Sequence, residues 1–314
     1  MFKHAVRQIV AIVSIFLCSA ALALPISNYN LVVLNDFSGS VHVQGSTFIG
    51  GNLNITGASD FGYDPNLVGS AALSVVNDVF GNGVKVLNGD AAYGGDLTNP
   101  ATIATNNGTV YQDKTLAAAQ LTAELEAASI HYDDLTANGD ITGDMNGRTF
   151  TYSGSEQVAV FDINASLFQQ SNGMQFDLGV AEKVIINVSG KSANIHNAFN
   201  FRGTNNSIYD SILWNFIDTT EINFNNKFIG SVLATKADIF NGGFDMDGAV
   251  IARNYFNQNL NEIHNYIYQG DGPIIEIPSS SVEVPEPQTL AMLLLGSLLV
   301  SLFRFRKRRC LSLS

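Results

Sequence analysis

Histidines are the residues of this chain with the widest chemical use, and their spacing indicates no assembled site. They are scattered, at positions 4, 42, 131, 196 and 264. No two of them stand in the His-x-x-x-His spacing that binds zinc from one helix face. His42 alternates with Val41 and Val43, so we expect it on the outer face of a strand. The histidines therefore predict no metal centre.

Three other motifs are incomplete. Gly190-Lys191-Ser192 resembles the end of a phosphate-binding loop, but Ile185 occupies the position of the first glycine. Asp245-Met246-Asp247-Gly248 is a fragment of a calcium loop without its closing glutamate, and turn chemistry explains it better, although bound calcium stays an open alternative. Glu124 and Glu126 have no histidine nearby, which indicates a solvated helix face.

The sequence therefore predicts no catalytic residue, no metal and no cofactor, and we expect a protein that is not an enzyme. A Gly-x-Ser-x-Gly nucleophile elbow does not occur. One enzymatic alternative stays open, a β-helical lyase or hydrolase, because such enzymes use acids on a β-helix face. The acidic residues at turns are too many to choose a pair from.

Composition excludes further classes of function. The 314 residues carry 16 basic and 28 acidic side chains, a formal net charge of −12. If the terminal segments described below are removed, nine basic and 27 acidic residues remain, a charge near −18. Such a body repels nucleic acid. The two cysteines, Cys18 and Cys310, lie in those same segments, so we expect no disulfide and no thiolate chemistry.

The first 23 residues have the order of a secretory signal peptide. Lys3 and Arg7 form a positive start, and Ile9–Leu17 is apolar. Ala21-Leu22-Ala23 has the small-residue pattern of a cleavage site, which argues against an uncleaved anchor helix. We therefore expect export through the secretion translocon, with Ala21 and Ala23 specifying cleavage.

The last thirty residues have three parts with separate physical meanings. In Val284-Pro285-Glu286-Pro287 the two prolines keep the backbone extended and accessible to a processing enzyme. The uncharged stretch that follows, up to Phe303, reaches the short end of a membrane-spanning helix at roughly 17 residues. A basic cluster then favours retention on the cytoplasmic side, through Arg304, Arg306, Lys307, Arg308 and Arg309.

This order resembles the PEP-CTERM sorting signal of Gram-negative bacteria, whose motif is the tripeptide Pro285-Glu286-Pro287. The resemblance implies that an exosortase, a membrane-embedded cysteine protease, cleaves near the motif. It also implies transient anchoring in the inner membrane, followed by passage to the cell surface or extracellular matrix. A plain C-terminal anchor is the alternative, but it would not require the tripeptide.

Between these ends the chain is a series of short strand signals separated by Gly, Asn and Ser. Asn88-Gly89 is one of several strong turn dipeptides, because both positions tolerate positive φ. The strands predicted by pattern are Asn30–Leu34, Val41–Val43, Thr47–Ile49, Leu53–Ile55, Leu73–Val76, Val84–Leu87, Thr149–Tyr152, Val158–Phe161, Phe176–Leu178, Lys183–Val188, Ile212–Phe216 and Glu221–Phe224.

One helix interrupts the strands. Apolar residues recur at spacings of three and four, at Ala118, Leu121, Leu125, Ala128, Tyr132 and Leu135. Asp113 or Thr115 is predicted to cap the start, and Asn138-Gly139 to end the helix.

A repeated fragment indicates how the strands are arranged. Phe228–Ala234 is echoed by Met246–Ala252, with Gly230 and Gly248 eighteen residues apart. A copy at fixed offset indicates stacked coils, in which each coil buries the apolar side of the next. We therefore predict a parallel β-solenoid with the long helix packed alongside. A β-sandwich is the alternative, because a strand pair in a sandwich could also produce two copies.

A second resemblance rests on Asp36, Val43–Leu53 and Ile229–Ala234, which look like the choice-of-anchor A domain. That family occurs in exported bacterial proteins and is regarded as adhesive. The order of strands, a helix and glycine-punctuated strands also resembles the right-handed ice-binding β-solenoid, with Ile212–Phe216 near its closing rungs. The resemblance covers roughly residues 26–270 and carries no catalytic residues.

The segments together predict an exported, non-enzymatic surface or matrix protein. The expected domains are 1–23 (signal peptide), 24–272 (choice-of-anchor A-like solenoid), 273–283 (linker) and 284–309 (sorting signal). Its partners would be the translocon, the exosortase, and a polysaccharide or cell-surface ligand, but not nucleic acid. Ice binding is an alternative that would require aligned Thr or Ala rows, and Thr does not recur at the rung offset.

Overall fold

Short parallel strands dominate a computed structural model of the chain, which describes residues 28–98, 101–203 and 206–270. The first part contains β1 (Leu31–Val33), β2 (Phe37–Gly39), β3 (His42–Val43), β4 (Thr47–Ile49), β5 (Leu53–Ile55), β6 (Ser59–Phe61), β7 (Ala71–Val75), β8 (Val79–Phe80), β9 (Val84–Asn88), β10 (Asp90–Tyr93), β11 (Leu97–Thr98), β12 (Ile103–Asn107) and β13 (Val110–Gln112). A 3₁₀ turn, Pro65–Leu67, lies between β6 and β7.

Helix α1 (Ala119–Asp133) separates these strands from the second part. There the chain forms β14 (Asp140–Asp144), β15 (Gly147–Thr151), β16 (Val158–Asn164), α2 (Ser166–Gln169), β17 (Gly173–Asp177), β18 (Lys183–Ser189), β19 (Ser192–Ile195), β20 (Asn200–Phe201), a 3₁₀ segment (Asn206–Ser211), β21 (Ile212–Phe216), β22 (Glu221–Phe224), β23 (Phe228–Ile229), β24 (Ser231–Asn241), β25 (Met246–Asp247), β26 (Val250–Asn257) and β27 (Glu262–His264).

Most of the strands stack into three parallel ladders, here called faces A, B and C, whereas β14, β15, β17 and β20 form a separate four-stranded sheet. Face A runs β16-β18-β21-β24-β26-β1-β4-β7-β10-β13, and face B runs β19-β22-β24-β26-β2-β5-β8-β11. Face C runs β23-β25-β27-β3-β6-β9-β12. β24 and β26 are long enough to continue around the corner between faces A and B, so each strand belongs to both faces. Among the described strands, β14 and β15 form the only antiparallel pair.

Sequence order and spatial order differ at one place, which we call the seam. β1 lies between β4, the next strand of its face along the chain, and β26, which is more than two hundred residues away. β2 also pairs with β26, and β3 pairs with β27. The first rung is therefore held between the second rung and the last. The two halves of the chain lie on opposite sides of this point: the first half coils away from it, and the second half coils towards it.

Asp and Asn side chains fix the corner between faces A and B. Asp36 Oδ1 accepts the Asn52 backbone N–H at 2.7 Å, and Asn52 Oδ1 accepts that of Asp78 at 3.2 Å. Asp78 Oδ1 in turn accepts the Asp96 N–H at 2.7 Å. Each rung thus satisfies a backbone donor of the next, as turn-forming Asx residues do. A side chain at Gly51 would collide with Asp36, which explains the glycine before Asn52.

Successive side chains on each strand point alternately into the coil and out of it, and the inward-pointing side chains are apolar. Leu31, Val33, Phe37, Leu53 and many equivalents are fully buried in one continuous core. A wider aromatic cluster fills the second half, centred on the buried Trp214, whose Nε1 donates to the Ile229 carbonyl at 2.9 Å. Burial of these surfaces supplies most of the favourable free energy of folding.

Helix α1 covers face A. Its residues Leu125, Ala128 and Tyr132 pack on Val32, Leu213, Leu233 and Ile251 in a second apolar cluster. Two buried asparagines anchor the helix as well. Asn215 Nδ2 donates to the Ser129 carbonyl at 2.8 Å, and Asn187 Nδ2 donates to that of Tyr132 at 2.8 Å. A polar contact of this kind fixes the helix in one register on the sheet.

The predicted parallel β-solenoid with one long helix alongside is confirmed, and the β-sandwich alternative is wrong because the stacked strands pair in parallel. The predicted helix cap is also wrong. The N-cap is Ala118, with no side-chain hydrogen bond, because Asp113 instead binds the Thr115 N–H in the preceding turn. The helix ends at Asp133, so the predicted stop at Asn138-Gly139 is five residues too late.

Within the described ranges, none of the helices is long and apolar enough to cross a membrane. The predicted spanning stretch up to Phe303 lies outside those ranges.

Candidate binding surfaces

Face B presents one row of outward side chains that crosses eight rungs. In spatial order the register partners of this amide–aromatic row are Asn194, Asn223, Phe240, Phe256, Ser38, Asn54, Phe80 and Thr98. Each is exposed or partly exposed, whereas its neighbours along the strand point into the core. No member carries a charge, which distinguishes the row from the rest of a strongly acidic chain.

Two aromatic rings lie at the centre of the row. The rings of Phe240 and Phe256 stack with centroids 4.9 Å apart and planes 15° from parallel. Beyond Phe256 the row continues with Ser38 and Asn54, whose side chains are joined by an Asn54 Nδ2 to Ser38 Oγ hydrogen bond of 3.3 Å. Phe80 follows on the next rung. These two shorter polar side chains lie between an aromatic residue at each end and are here called the Ser38–Asn54 notch.

The chemistry available in this row is recognition, not bond cleavage. Aromatic rings offer flat apolar contact area with little conformational entropy to lose. Amide and hydroxyl groups offer both hydrogen-bond donors and acceptors. A ligand that follows the row would therefore meet apolar and hydrogen-bonding groups in turn, at the rung spacing of about 4.8 Å.

Face C carries a different surface, centred on Asp247. This carboxylate is only 2 % exposed, yet it is fully paired. Its Oδ2 lies 2.8 Å from Lys227 Nζ, and its Oδ1 lies 2.6 Å from His264 Nδ1. His264 Nε2 lies 3.0 Å from Glu262 Oε2 on the other side of the ring. The histidine is thus held between two carboxylates.

The pKa values of the three central groups shift as mutual pairing requires. Hydrogen bonding to Asp247 raises the pKa of His264, against an opposing effect of burial. Burial acts to raise the pKa of Asp247, but the hydrogen bonds from His264 and Lys227 outweigh it and hold that pKa below its usual value. Burial likewise acts to lower the pKa of Lys227, and the contact with Asp247 reverses the direction. The charged forms of Asp247, His264 and Lys227 are therefore all favoured.

The charges continue across the seam. Glu262 Oε1 is 4.0 Å from His42 Nδ1, and His42 Nε2 is 3.9 Å from Asp60 Oδ2. Tyr63 donates its hydroxyl hydrogen to Asp60 Oδ2 at 3.0 Å, and burial together with this bond raises the pKa of Tyr63 to about 12. The line from Lys227 to Tyr63, here called the charged line, therefore ties the last rungs of the chain to the first.

A cavity of about 590 Å³ lies at the C-terminal end of α1, between the helix and strands β16 and β18. It is lined by His131, Leu135, Asn138, Glu156 and Lys183 among others. Two of its polar groups, Asn138 and Glu156, are bonded within the fold. Asn138 accepts the Val160 N–H at 2.7 Å and donates to Glu156 at 2.7 Å. These contacts fix the chain after the helix.

The structure accounts for the incomplete motifs. Gly190 and Lys191 form the turn between β18 and β19 and both bind Asp218, through the Gly190 N–H at 2.7 Å and Lys191 Nζ at 3.3 Å. Asp247 is engaged by Lys227 and His264. In the described part of the chain, no group of three or more His, Cys, Asp or Glu residues is placed to hold a metal. His42 lies on the outer face of β3, as predicted.

The residues predicted for processing all fall outside the described ranges. These are Ala21 and Ala23 at the signal-peptide site, Val284, Pro285, Glu286 and Pro287 in the sorting motif, and Arg304, Arg306, Lys307, Arg308 and Arg309 in the basic cluster. Their roles stay predictions.

Sequence reasoning missed the amide–aromatic row, although a weak signal for it exists. The dipeptide Phe-Asn recurs every sixteen residues, at Phe224, Phe240 and Phe256. The repeat is misleading at its first copy, because Asn223 and not Phe224 pairs with Phe240. Phe224 is buried as a result. Only the strand register separates the surface rings from the core ring.

Comparison with known proteins assigns the family. A family described as "Putative Ice-binding-like adhesive domain" matches residues 23–265. The chain belongs to this ice-binding-like adhesive family. No curated protein matches the chain.

Several solved structures show a distant likeness to this member of the adhesive family. An ice-binding protein of Antarctomyces psychrotrophicus has 14% identity and a TM-score of 0.30, over 77% of this chain and 97% of that one. A Shewanella frigidimarina ice-binding domain has 10% identity and a TM-score of 0.32, over 76% of this chain and 95% of that one. A glycosylated ice-binding protein from an Arctic yeast has 13% identity and a TM-score of 0.33, over 77% of this chain and 94% of that one. The solenoid described above rests on this chain's own strand pairing.

Proposed function

We propose that this protein is an exported adhesive module that acts by binding at the cell surface or in the extracellular matrix, without catalysis. Its membership of an adhesive domain family supports an adhesive role. The observation that carries the proposal is the amide–aromatic row, an uncharged recognition surface eight rungs long on a rigid scaffold. The ligand would be a polysaccharide or another cell-surface component.

The route to the surface is the second part of the proposal. The signal peptide would pass the chain to the translocon and be cleaved after Ala23. The apolar stretch and the basic cluster would then hold the chain transiently in the inner membrane of a Gram-negative bacterium. An exosortase would release the body by cleavage near Pro285-Glu286-Pro287.

Two measurements test adhesion and sorting separately. Cells that produce the full chain should attach to a polysaccharide-coated surface more strongly than cells that lack it, and equal attachment would contradict the adhesive function. Cells with Pro285, Glu286 and Pro287 all changed to alanine should retain an uncleaved, membrane-associated form. If fractionation finds the variant processed and released like the wild type, the sorting proposal fails.

Ice binding is the second candidate, favoured by the description of the family. The composition of face B argues against it. Its outward row contains Thr98 and Ser38 as the only hydroxyl residues, and three phenylalanines interrupt it. We expect the exported protein to leave ice growth and recrystallisation unchanged. Shaping of ice crystals that is lost in a Thr98→Tyr variant would favour the ice-binding alternative.

A β-helical polysaccharide-active enzyme is the remaining alternative. It predicts that the exported protein shortens a glycan, which a reducing-end assay would detect. We expect no increase in reducing ends with time.

A further inference from the structure

We propose that the Ser38–Asn54 notch and the phenylalanines around it form a binding site for a neutral polysaccharide, whose chain runs along the solenoid axis. The inference deepens the adhesive function proposed above and rests on it. It assigns that function to one row of residues and one class of ligand.

The shape of the row fits an extended polymer. The row is straight because its members are register partners on consecutive parallel strands, at about 4.8 Å per rung. From Phe256 through Ser38 and Asn54 to Phe80 the row advances three rungs. The side chains of Ser38 and Asn54 are smaller than the phenylalanines on either side. A ring of a ligand placed over these shorter side chains would lie next to an aromatic side chain.

The chemistry of the notch matches a sugar. A pyranose ring has apolar C–H faces and a rim of hydroxyl groups. Phe256 and Phe80 supply the apolar contact area, as aromatic side chains commonly do at binding sites. Asn54 uses one amide hydrogen on Ser38 and keeps a carbonyl oxygen and a second hydrogen for a ligand. The apolar contact area and the hydrogen-bonding groups that a sugar needs are thus adjacent.

Charge selects between neutral and acidic polysaccharides. The row itself has no cation that could pair with a uronate or sulfate group. The neighbouring corner carries the carboxylates of Asp36, Asp78 and Asp96, and the whole chain has a net charge of −12. A polyanion that approached the row would therefore be repelled. A neutral chain would meet no such penalty, so its binding should change little with salt concentration.

The test uses protein exported by cells that express the full chain. Retardation in native gels that contain a neutral glucan, laminarin or hydroxyethyl cellulose, is compared with retardation in gels that contain alginate. We expect a neutral glucan to retard the wild type and alginate to leave it unaffected. Binding to alginate alone, or to none of the three, would overturn the proposal.

Variants locate the site. Asn54→Asp places a charge in the exposed notch without removing packing, and we expect about tenfold weaker binding to the neutral glucan. Asn66→Asp is the matched control, because Asn66 is exposed on the Pro65–Leu67 turn and is not part of the row. It should bind like the wild type. Equal binding by Asn54→Asp and the wild type would show that the row is not the site.

An aromatic variant provides a second, independent measure. Phe256→Ala should also weaken binding about tenfold, whereas Tyr111→Ala, at an exposed tyrosine of β13, should not. Thermal unfolding of each variant shows whether it is folded. If cells still attach in a protein-dependent way while both row variants bind and attach normally, the adhesive function stands and the row assignment fails.

Discussion

Asp247 and His264 are register partners on adjacent rungs of face C, and Asp247 Oδ1 lies 2.6 Å from His264 Nδ1. By sequence pattern alone the first is a turn residue and the second is an isolated histidine. The stacked coils bring them together as a partly buried ion pair, which Lys227 and Glu262 extend. The pair has measurable consequences for stability.

The first prediction concerns pH. The pKa of His264 is raised above its ordinary value of 6.5, so its charged form stabilises the fold fully below that pH. This contribution is lost as the pH rises through the folded-state pKa. We expect the free energy of unfolding, measured with urea from about pH 6 to about pH 9, to decline over this window. In His264→Gln the decline should be smaller, and an unchanged profile in that variant would contradict the assignment.

Asp247, the acidic residue of the same pair, gives the free energy of unfolding the opposite dependence on pH. The pKa of Asp247 is lowered, so its contribution is present above the ordinary value of 3.8 and is lost as the pH falls through the folded-state pKa. Asp247→Asn should lower the free energy of unfolding at neutral pH by about 1–3 kcal/mol, because His264 and Lys227 lose their charged partner. Its acid unfolding should also be less steep than that of the wild type.

The second prediction concerns the seam. The buried Asn30 side chain accepts the Gly45 N–H at 3.0 Å and donates to the carbonyls of His264 and Gly248 at 3.0 and 3.3 Å. Asn30→Ala leaves these buried groups unpaired, so we expect a loss of about 2–4 kcal/mol in urea unfolding. The control Asn66→Ala, at an exposed asparagine, should cost less than about 0.5 kcal/mol. Similar losses in both variants would mean that Asn30 does not hold the seam.

The third prediction concerns close backbone approach. Gly230 has φ of +87°, and a methyl group there would lie 2.8 Å from the Ile212 side chain. Gly230→Ala should therefore destabilise the protein by about 2 kcal/mol or more in thermal or urea unfolding. Gly147→Ala is the matched control, since nothing lies within 4 Å of the added methyl. A Gly230→Ala protein as stable as this control would refute the explanation.

The fourth prediction concerns helix docking. Ser129 and Asn215 are buried, and their side-chain oxygens lie 2.6 Å apart while Asn215 also donates to Asn187 Oδ1 at 3.0 Å. Asn215→Ala should cost about 2–4 kcal/mol and Ser129→Ala about 1 kcal/mol. Because the two residues share a hydrogen bond, a double-mutant cycle should give a coupling energy near 1 kcal/mol. If the loss of stability in the double mutant equals the sum of the losses in the two single mutants, the contact between these side chains does not anchor α1.

Local structure was predictable because each short strand is bounded by residues that favour turns. Thr47–Ile49, Leu53–Ile55, Ile212–Phe216 and Glu221–Phe224 form strands with the predicted bounds. The repeat around Gly230 and Gly248 was also informative. These glycines lie on adjacent rungs, and a methyl group on Gly248 would collide with the Gly230 carbonyl. The repeat therefore reflects a close approach that only glycine permits.

The stacking order was not predictable because the rungs differ in length. Leu31 pairs with Thr47, Thr47 with Leu73, and Leu73 with Ala91, so the offsets are 16, 26 and 18. Such variation hides the period from any repeat search. The seam leaves even less trace, since the pairing of Leu31 with Val250 joins distant parts of the chain. The amide–aromatic row depends on both features, because Phe256 and Ser38 meet across the seam.

Insertion of the first rung between the second and the last determines how the molecule would respond to tension. A pull from the C-terminal side reaches β27, which is paired with β25 on one side and β3 on the other. Extraction of β27 would require both ladders to shear at once, whereas a strand at the end of a stack can be peeled away one hydrogen bond at a time. The mid-stack position of β27 should therefore raise the force needed to unfold the chain from this side.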